Sequence, residues 1–488
     1  MRKTLLLVSL LLVFLPAATA QSGLDCFAVI AGKGCTADGS VLFAHNEDDD
    51  GDVVVRFYRF ERQRHAPGSV LTLKGGGAVP QPEETLGGLW SQMPGFDYSD
   101  IYLNDHGVAV ASNACTSRED KPELTDGGIG YDLRHLVGRR ARTAREGVEI
   151  AIAAVAKFGY ADSGRLLAIA DPGEAWVICL VRGKHWVAAR VPDDRVLTVA
   201  NTYPIRLVDP ADRENFRVSP GLIEHAKSRG WYVPERDGPF DFARAYASPA
   251  ARTDPRNFRR QWRAIRLLAE KPPEEGWDLP AFVSPQKKLA PADLMAVLRD
   301  HYEGTERDLT DAYRKGTPNR TAERTLCTDS TRNAVVFQLR ADLPVEVGAL
   351  MWVAMRRPDG SVFLPWYVGI REVPPGFADG DPATALAAHF APEATRLGNP
   401  ESFQVFHDLC DALDDAYGER FPAVRKLQDE LERGFFRWQP EIERLVASTL
   451  RAGDREAARD LLTAYVLGQT ARAVHRAGAL AASFPQSP

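Results

Sequence analysis

Residues 26–48 read CFAVIAGKGCTADGSVLFAHNED, and this stretch carries the strongest indication of the fold. Two apolar runs, residues 26–31 and 41–44, flank the pair Asp38-Gly39, and such a pair between two apolar runs is a strong hairpin signal. The second run leads directly into four polar residues, 45–48. The stretch therefore predicts two antiparallel strands that begin at a cysteine and end in a group of polar side chains.

The segment before this stretch has the three parts of a secretory signal peptide. Two basic residues precede an almost unbroken apolar run over residues 5–15, and the small residues 18–20 supply the cleavage pattern. The apolar run is shorter than the ~20 residues that a bilayer-spanning helix needs. We therefore expect residues 1–20 to be a signal peptide, residues 21–25 to be a short pro-segment that is removed, and the mature protein to be secreted or periplasmic.

The composition is that of a globular protein whose partner is a small molecule. Of the 488 residues, 44% are hydrophobic and 26% are charged, and the formal net charge is -6. Acidic and basic residues are mixed along the chain, whereas proteins that bind nucleic acids or membrane surfaces carry basic patches. We expect no nucleic-acid partner and, once the signal peptide is removed, no membrane partner. The sequence leaves open whether the protein forms a homo-oligomer.

Strand-like and helical patterns alternate along the chain in long blocks. Strand patterns fill the first part of the chain and return over residues 166–200 and 335–368, with helical patterns between them and near the C-terminus. This order predicts an α+β domain with helices on the outer faces of its sheets. We divide the chain into a catalytic core over residues 26–375 and a helical region over residues 376–488 that packs on this core.

The helical block between the first two groups of strands carries clear boundary signals. Residues 132–158 have a helical pattern that reads as two helices. Thr143, followed three residues later by Glu146, predicts a capping box at the start of the second helix. Gly159 is a suitable C-terminal stop for that helix.

Cys26 is the candidate nucleophile because of what cleavage before it would create. The α-amino group of an N-terminal residue has a pKa of ~7.7–8.0, so it can accept the thiol proton near neutral pH. One residue then supplies both nucleophile and base, and no histidine is needed. The alternative is that Cys26 is one half of a disulfide, because the chain has six cysteines and exported proteins commonly form such bonds.

The motifs of residues 26–33, 37–40 and 45–48 together resemble the start of the cysteine dipeptidase family of N-terminal-nucleophile (Ntn) hydrolases. The resemblance continues in residues 141–150, 158–160, 170–176, 183–194, 336–340 and 365–367, and it spans most of the mature chain. That family is related to conjugated bile acid (choloylglycine) hydrolases and penicillin V hydrolases. The resemblance implies a four-layer αββα sandwich, with an additional C-terminal helical region here, and hydrolysis of small peptide amide bonds.

The resemblance also implies the site residues. Cys26 matches the nucleophile, and Asp48 matches the acid that would hold its α-amino group. Asn201 and, one residue out of register, Asn113 match asparagines of the oxyanion hole, where one donor can contribute ~3 kcal/mol. Arg260 matches a helix arginine that faces the nucleophile. As alternatives, the two asparagines are turn residues at strand ends and the arginine belongs to a solvated helix face.

His45 and Asn46, from the same motif as Asp48, are candidate substrate-binding residues. The position of His45 is often arginine or lysine in relatives, so this histidine is a departure that would make any contact with the thiolate pH-dependent. The chain lacks the H-E-x-x-H, G-x-S-x-G and glycine-rich phosphate motifs. We expect neither a metal ion nor a cofactor.

Two other functions remain open from the sequence. The same mechanism in a larger apolar pocket would give an acylase or amidase that cleaves acylated amino acids or bile-acid-like amides. A secreted binding protein that kept the fold but lost activity is the third possibility, and in that case Cys26 would lie in a disulfide.

Overall fold

The computed structural model describes residues 26–49 and 54–485. The predicted signal peptide, residues 1–20, and the predicted pro-segment, residues 21–25, lie outside the described residues. The strands are β1 (Phe27–Ala31), β2 (Val41–Asp48), β3 (Arg56–Phe60), β4 (Gln63–Arg64), β5 (Val70–Thr72), β6 (Ala78–Pro80), β7 (Glu84–Thr85), β8 (Gly88–Gln92), β9 (Ile101–Asn104), β10 (Ala109–Ala114), β11 (Tyr160–Ala170), β12 (Ala175–Gly183), β13 (Trp186–Val191), β14 (Val196–Val199), β15 (Phe216–Val218), β16 (Phe282–Val283), β17 (Thr331–Leu339), β18 (Ala349–Met355) and β19 (Leu364–Tyr367).

The helices alternate with these strands in the middle of the chain and follow them at its end. They are α1 (Asp132–Arg140), α2 (Ala144–Phe158), α3 (Leu222–Ser228), α4 (Pro234–Asp237), α5 (Phe242–Tyr246), α6 (Pro249–Thr253), α7 (Pro255–Leu268), α8 (Pro291–Leu298), α9 (Val345–Gly348), α10 (Pro382–Ala387), α11 (Glu401–Asp415), α12 (Tyr417–Arg451) and α13 (Arg455–Ser483).

Two large antiparallel sheets form the centre of the molecule. The first sheet has the strand order β16-β14-β1-β2-β17-β18-β19, and the second has the order β15-β13-β12-β11-β10-β9-β8-β3. In the second sheet, alternate side chains enter two different apolar clusters, as the twofold period of a strand requires. Leu166 and Val177 pack with the first sheet, whereas Leu167 and Ile178 pack with α1 and α2.

Helices cover the outer face of each sheet and complete four layers. On the second sheet, α1 lies against β9 and β10 and α2 lies against β11 and β12. On the first sheet, α7 contacts β14, α8 contacts β2 and β17, α11 contacts β18 and α13 contacts β19. The helix–sheet–sheet–helix order confirms the predicted αββα sandwich.

The predicted antiparallel pairing of β1 and β2 is confirmed, and the connection between them is longer than a two-residue hairpin turn. The two strands pair antiparallel, but residues 32–40 join them and include a short 3-10 turn at Lys33–Cys35. Gly32 packs directly on the turn between β13 and β14, where an added Cβ would lie 2.3 Å from the carbonyl oxygen of Pro192. The longer connection therefore lets Gly32 contact the turn at Pro192, which is distant in the sequence.

The helices after residue 376 pack on the first sheet through buried ion pairs. Arg340, beyond the end of β17, donates to Glu443 of α12 at 2.6 and 2.7 Å, and the Tyr367 hydroxyl of β19 donates to the same carboxylate at 2.9 Å.

Among the described residues, none of the helices combines the length and apolar character that crossing a bilayer requires.

Candidate active site

Cys26 lies within a row of polar side chains that crosses the first sheet. The register of β1 and β2, continued by one residue, places Cys26 opposite Glu47, and Glu47 is paired with Asn333 of β17. On the other side, the register of β1 and β14, continued past the end of β14, places Asn201 next to Cys26. Side chains at opposed positions of neighbouring strands share a face. The face that carries this row points toward the second sheet.

The thiol of Cys26 is buried and protonated at neutral pH. Its side chain is 1% exposed, and Sγ donates a hydrogen bond to Glu47 Oε1 at 3.1 Å. Burial, followed by the nearby carboxylates of Glu47, Asp49 and Asp48, raises the pKa of Cys26 well above its ordinary value. The thiol consequently needs a base before it can act as a nucleophile.

His45 bridges the two sheets as a neutral ring. Its Nε2 donates to the carbonyl oxygen of Ser112 in β10 at 3.1 Å, and its Nδ1 lies 3.7 Å from Glu47 Oε2. Burial lowers the pKa of His45 to about 4. At neutral pH this side chain therefore does not supply the positive charge that arginine or lysine would carry at the same position.

A buried guanidinium from the second sheet supplies positive charge near the thiol instead. Arg165, at β11, donates to the Tyr160 hydroxyl at 3.1 Å and to Asp162 at 3.0 Å, and it lies 4.2 Å from the centre of the Tyr98 ring. Burial lowers the pKa of Arg165, but Tyr160, Asp162 and a charged Cys26 together raise it above its ordinary value. A Cys26 thiolate would therefore have a permanent cation in its surroundings.

Arg260 and Asn201 form a connected pair beside Cys26. Arg260, on α7, is fully buried, so it does not belong to a solvated helix face. Its Nη1 donates to the carbonyl oxygen of Cys26 at 3.3 Å, and its Nη2 donates to Asn201 Oδ1 at 2.8 Å. The Asn201 Nδ2 donates to the carbonyl oxygen of Ala114 at 3.0 Å. Arg260 thus holds the Oδ1 end of the Asn201 amide, and the Nδ2 end lies toward β10.

Several buried polar atoms around the thiol have no hydrogen-bond partner among the described residues. Native interiors leave few such atoms, and each one calls for a water, a ligand or a functional role. Those around Cys26 are His45 Nδ1, Glu47 Oε2, Asp49 Oδ1, both Nδ2 and Oδ1 of Asn113, and Asn333 Oδ1. The space between the sheets at Cys26 is therefore suited to a polar ligand.

Asn46 lies apart from this group, which corrects its predicted role in substrate binding. It is paired with Phe27 rather than with the row of Cys26, so its side chain points to the helical layer. Its Nδ2 donates to the carbonyl oxygens of Leu298 and Leu326 at 2.9 and 2.8 Å. The amide ties β2 to the segments around α8, and this structural task explains an asparagine at that position.

Asp48 ends β2 close to the thiol, and its carboxylate is held by other groups. It accepts hydrogen bonds from Thr331 Oγ1 at 2.6 Å and from Arg324 Nη2 at 3.1 Å. A hydrogen bond from its backbone N–H lowers the pKa of Cys26, although burial and the carboxylates outweigh this effect. Its contact with the α-amino group of Cys26 stays a prediction, because that amine exists only after residue 25 is removed.

Four residues of this site were not identified from the sequence: Glu47, Asp49, Arg165 and Asn333. Glu47 and Asp49 could have been found, because they follow His45 at intervals of two residues and strand alternation places such residues on one face. Arg165 and Asn333 carry no comparable signal. Each lies beside an apolar strand run and approaches the site only through pairing between distant strands.

The comparison with known families now identifies the class of protein. Residues 25–395 match the family described as "Peptidase family C69". The match covers well over half of the chain, so the protein belongs to peptidase family C69. It is therefore a hydrolase that acts on peptide bonds.

Similar proteins carry related names. A "Probable dipeptidase" from Salmonella dublin is 27% identical over 72% of this chain and 82% of its own length. A "Dipeptidase" from Bifidobacterium longum is 26% identical over 83% of this chain and 80% of its own length. A mutant conjugated bile acid hydrolase from Clostridium perfringens aligns with a TM-score of 0.29 and 12% identity over 68% of this chain and 89% of that chain. A TM-score of 0.29 is too low to support an inference, and the fold assignment rests on the sheet topology.

Proposed function

We propose that the protein is an exported cysteine dipeptidase of the N-terminal-nucleophile type, in which Cys26 becomes the first residue and attacks the amide bond of a small peptide. The observation that carries the proposal is the buried Cys26 thiol, surrounded by polar atoms without partners. The names of the relatives support a dipeptide substrate. The N-terminal sequence pattern supports export.

The α-amino group of Cys26 is the base in this proposal. It takes the proton from Sγ, and the sulfur then attacks the carbonyl carbon of the substrate. As the C–N bond breaks, the resulting ammonium returns this proton to the leaving amine, and an acyl thioester remains on Sγ. The same amine then deprotonates a water molecule, which attacks the thioester and releases the carboxylic acid and the free thiol.

In this proposal, two asparagines stabilise the negative oxygen of the tetrahedral intermediate. The Nδ2 of Asn113 is buried and has no partner among the described residues, so it is available as a donor. Asn201 presents its Nδ2 on the side away from Arg260, which holds its Oδ1. Donors aimed at the developing charge are worth about 2.7–4 kcal/mol each. Arg260 acts as a positioning residue for Asn201.

The test compares wild type with Cys26→Ala and, as a matched control, Cys179→Ala, which removes another buried free thiol. N-terminal sequencing of active material should begin at Cys26. Hydrolysis of a dipeptide panel should fall at least about 10³-fold in Cys26→Ala, because the nucleophile is lost, and stay within threefold of wild type in Cys179→Ala.

Activity in material that retains any residue before Cys26 would exclude the α-amino group as the base. In that case Glu47, whose Oε1 is 3.1 Å from Sγ, would be the base to consider. Hydrolysis that survives in Cys26→Ala would overturn the assignment of the nucleophile. Export is tested separately, by locating the protein after deletion of residues 1–20.

A further inference from the structure

We propose that Glu47, together with Asp49 and Asn333, forms a subsite that binds the free α-ammonium group of the substrate peptide. This inference rests on the proposed function, and it makes Glu47 the residue that selects unblocked peptides over acylated amino acids and other amides. It assigns a role to a carboxylate that neither the nucleophile, the base nor the oxyanion hole requires.

Strand pairing and alternation place the three side chains on one face of the first sheet, and each has an oxygen atom without a hydrogen-bond partner among the described residues. Glu47 uses Oε1 to accept the thiol hydrogen bond, and its Oε2 has no partner among the described residues. Asn333, paired with Glu47 across β2 and β17, donates its Nδ2 to Ser91 Oγ at 3.4 Å and leaves Oδ1 unused. Asp49 accepts from Ser99 Oγ at 2.7 Å through Oδ2, and its Oδ1 is unused. An ammonium group has three donors, which matches three free acceptors.

The geometry of an α-amino acid allows its ammonium to reach this position. The α-nitrogen and the carbonyl carbon are separated by two bonds of ~1.46 and ~1.52 Å at an angle of ~111°, and therefore by about 2.5 Å. A sulfur poised for attack lies about 3–3.5 Å from the carbonyl carbon. The ammonium of the residue under attack is thus no more than about 6 Å from Sγ. Glu47 Oε1, at 3.1 Å from Sγ, is within that range.

The charges around the subsite favour a cation. Burial and then the charge of Asp49 raise the pKa of Glu47 well above its ordinary value, and a bound cation would favour the ionised form of this carboxyl group. Arg134, on α1, and Arg165, on β11, act against the effects of burial and Asp49 and lower the pKa of Glu47, but each already donates hydrogen bonds to other groups. Arg134 donates to Ser112 Oγ at 3.0 Å and to the carbonyl oxygen of Asp97 at 2.7 Å.

Binding of the ammonium would also prepare the nucleophile. The charges of Glu47 and Asp49 are the largest electrostatic reasons why the pKa of Cys26 is high. A positive charge between these carboxylates offsets this effect and lowers the pKa of the thiol. Substrates that lack the amine leave two buried carboxylates unpaired, which costs free energy and slows their hydrolysis.

The experiment compares two substrates that differ only in the amine, alanyl-alanine and propionyl-alanine. Wild type should show a kcat/KM for alanyl-alanine at least 100-fold above that for propionyl-alanine. In Glu47→Gln this ratio should fall at least 30-fold, and in Asp49→Asn it should fall about fivefold. The matched control is Asp132→Asn, a buried carboxylate at the start of α1 that should leave the ratio within twofold of wild type.

The following outcomes contradict the inference or the proposed function on which it rests. An equal loss of activity toward both substrates in Glu47→Gln, with slower alkylation of Cys26 by iodoacetamide, would show that Glu47 acts on the thiol. A wild-type enzyme that cleaves both substrates equally well would show that no ammonium subsite operates, although the proposed hydrolase would stand. Cleavage of no peptide at all by wild type would mean that the proposed function itself had failed. If Glu47→Gln does not fold, an unchanged ratio in Asp49→Asn contradicts the inference.

Discussion

Two buried clusters in this protein have the same side-chain types and opposite hydrogen-bond states. Cys26, His45 and Glu47 form one, and His301, Cys327 and Asp359 form the other, each with its potential ligand atoms within 4.8 Å of one another. Both clusters are inaccessible to solvent. Composition and burial alone would therefore give the two clusters equal standing as functional sites.

The second cluster uses its polar atoms within the protein. His301 contacts Glu303 Oε1 through Nδ1 and Asn319 Oδ1 through Nε2, each at 3.1 Å. Asp359 accepts from the Tyr417 hydroxyl at 2.8 Å and from Arg357 Nε at 3.2 Å. A buried polar network with this many internal bonds rigidifies a core.

The first cluster contains buried polar atoms that have no hydrogen-bond partner among the described residues. The pKa shifts of Glu47 and Asp359 reflect this difference in hydrogen bonding. Burial favours protonation of both, but Arg357 and His301 more than offset it for Asp359, whose pKa falls below its ordinary value. For Glu47, burial and the charge of Asp49 outweigh the hydrogen bond from Cys26 and the charges of two arginines, and its pKa rises. The comparison teaches that a cluster with incomplete hydrogen bonding is a candidate for binding and chemistry, whereas a completed cluster stabilises the fold.

The largest expected effect is on stability, from Asp359→Ala. Removal of this carboxylate leaves the fully buried Arg357 with less compensation, so the free energy of unfolding should fall by about 3–5 kcal/mol. Glu47→Gln should change the same quantity by less than about 1 kcal/mol at pH 7, because it replaces an uncompensated carboxylate with a neutral group of equal shape. Urea unfolding of both variants measures the difference. Equal destabilisation by the two substitutions would remove the distinction between the clusters.

A second contrast uses one asparagine beside each cluster. Asn113→Ala should lower kcat/KM about 10²–10³-fold through loss of an oxyanion donor, while the free energy of unfolding stays within about 1 kcal/mol of wild type. Asn319→Ala should do the opposite, because Asn319 joins His301 to Asp359 through bonds of 3.1 and 3.0 Å. It should lower the free energy of unfolding by about 1–3 kcal/mol and leave kcat within threefold of wild type.

Steady-state kinetics and unfolding curves on the same protein preparations check both halves of this contrast. A loss of stability in Asn113→Ala as large as that in Asn319→Ala would make Asn113 a structural residue and remove it from the oxyanion hole.

Local signals in the sequence predicted local structure accurately. Thr143 caps α2 by accepting from the Glu146 N–H at 3.1 Å, and Gly159 ends this helix with φ +76°. The reciprocal bond of the predicted capping box is displaced by one residue, because the Glu146 carboxylate accepts from the Arg142 N–H at 2.7 Å. Neighbouring residues decide such features, so a single sequence suffices to find them.

The site required contacts that a single sequence does not encode locally. Cys26 and Glu47 belong to one predicted hairpin, and their proximity follows from strand pairing. Arg165 reaches the same region from the other sheet, through the packing of two layers. The burial of Arg260 likewise depends on how α7 meets β14. The resemblance to a family predicted that Arg260 belongs to the site. The pattern of three arginines on one helix predicted instead that it lies on a solvent-exposed face.

The remaining prediction concerns pH, where the two clusters should respond with opposite sign. Burial raises the pKa of Asp49 from 3.8 to about 7, despite hydrogen bonding from Ser99 and the charges of Arg165 and Arg332. The folded state therefore keeps a proton that the unfolded state releases at pH ~4, and Asp49 contributes less stability as the pH rises from ~4 to ~7. Asp359, with a lowered pKa, contributes stability above pH ~4 that is lost as the pH falls below this value.

Urea unfolding of wild type, Asp49→Asn and Asp359→Asn between pH 3 and 8 separates these contributions. A pKa change from 3.8 to about 7 corresponds to at most about 4 kcal/mol, and relaxation on ionisation should reduce the observed value to about 2 kcal/mol. Between pH 4 and 7, the free energy of unfolding of Asp49→Asn should increase by this amount relative to wild type, because the amide has no proton to release. Asp359→Asn should have a lower free energy of unfolding than wild type. This difference should become smaller toward pH 3, where the wild-type carboxylate in the unfolded chain becomes protonated. Parallel pH curves for all three proteins would mean that both carboxylates have similar surroundings, and the contrast between the two clusters would then fail.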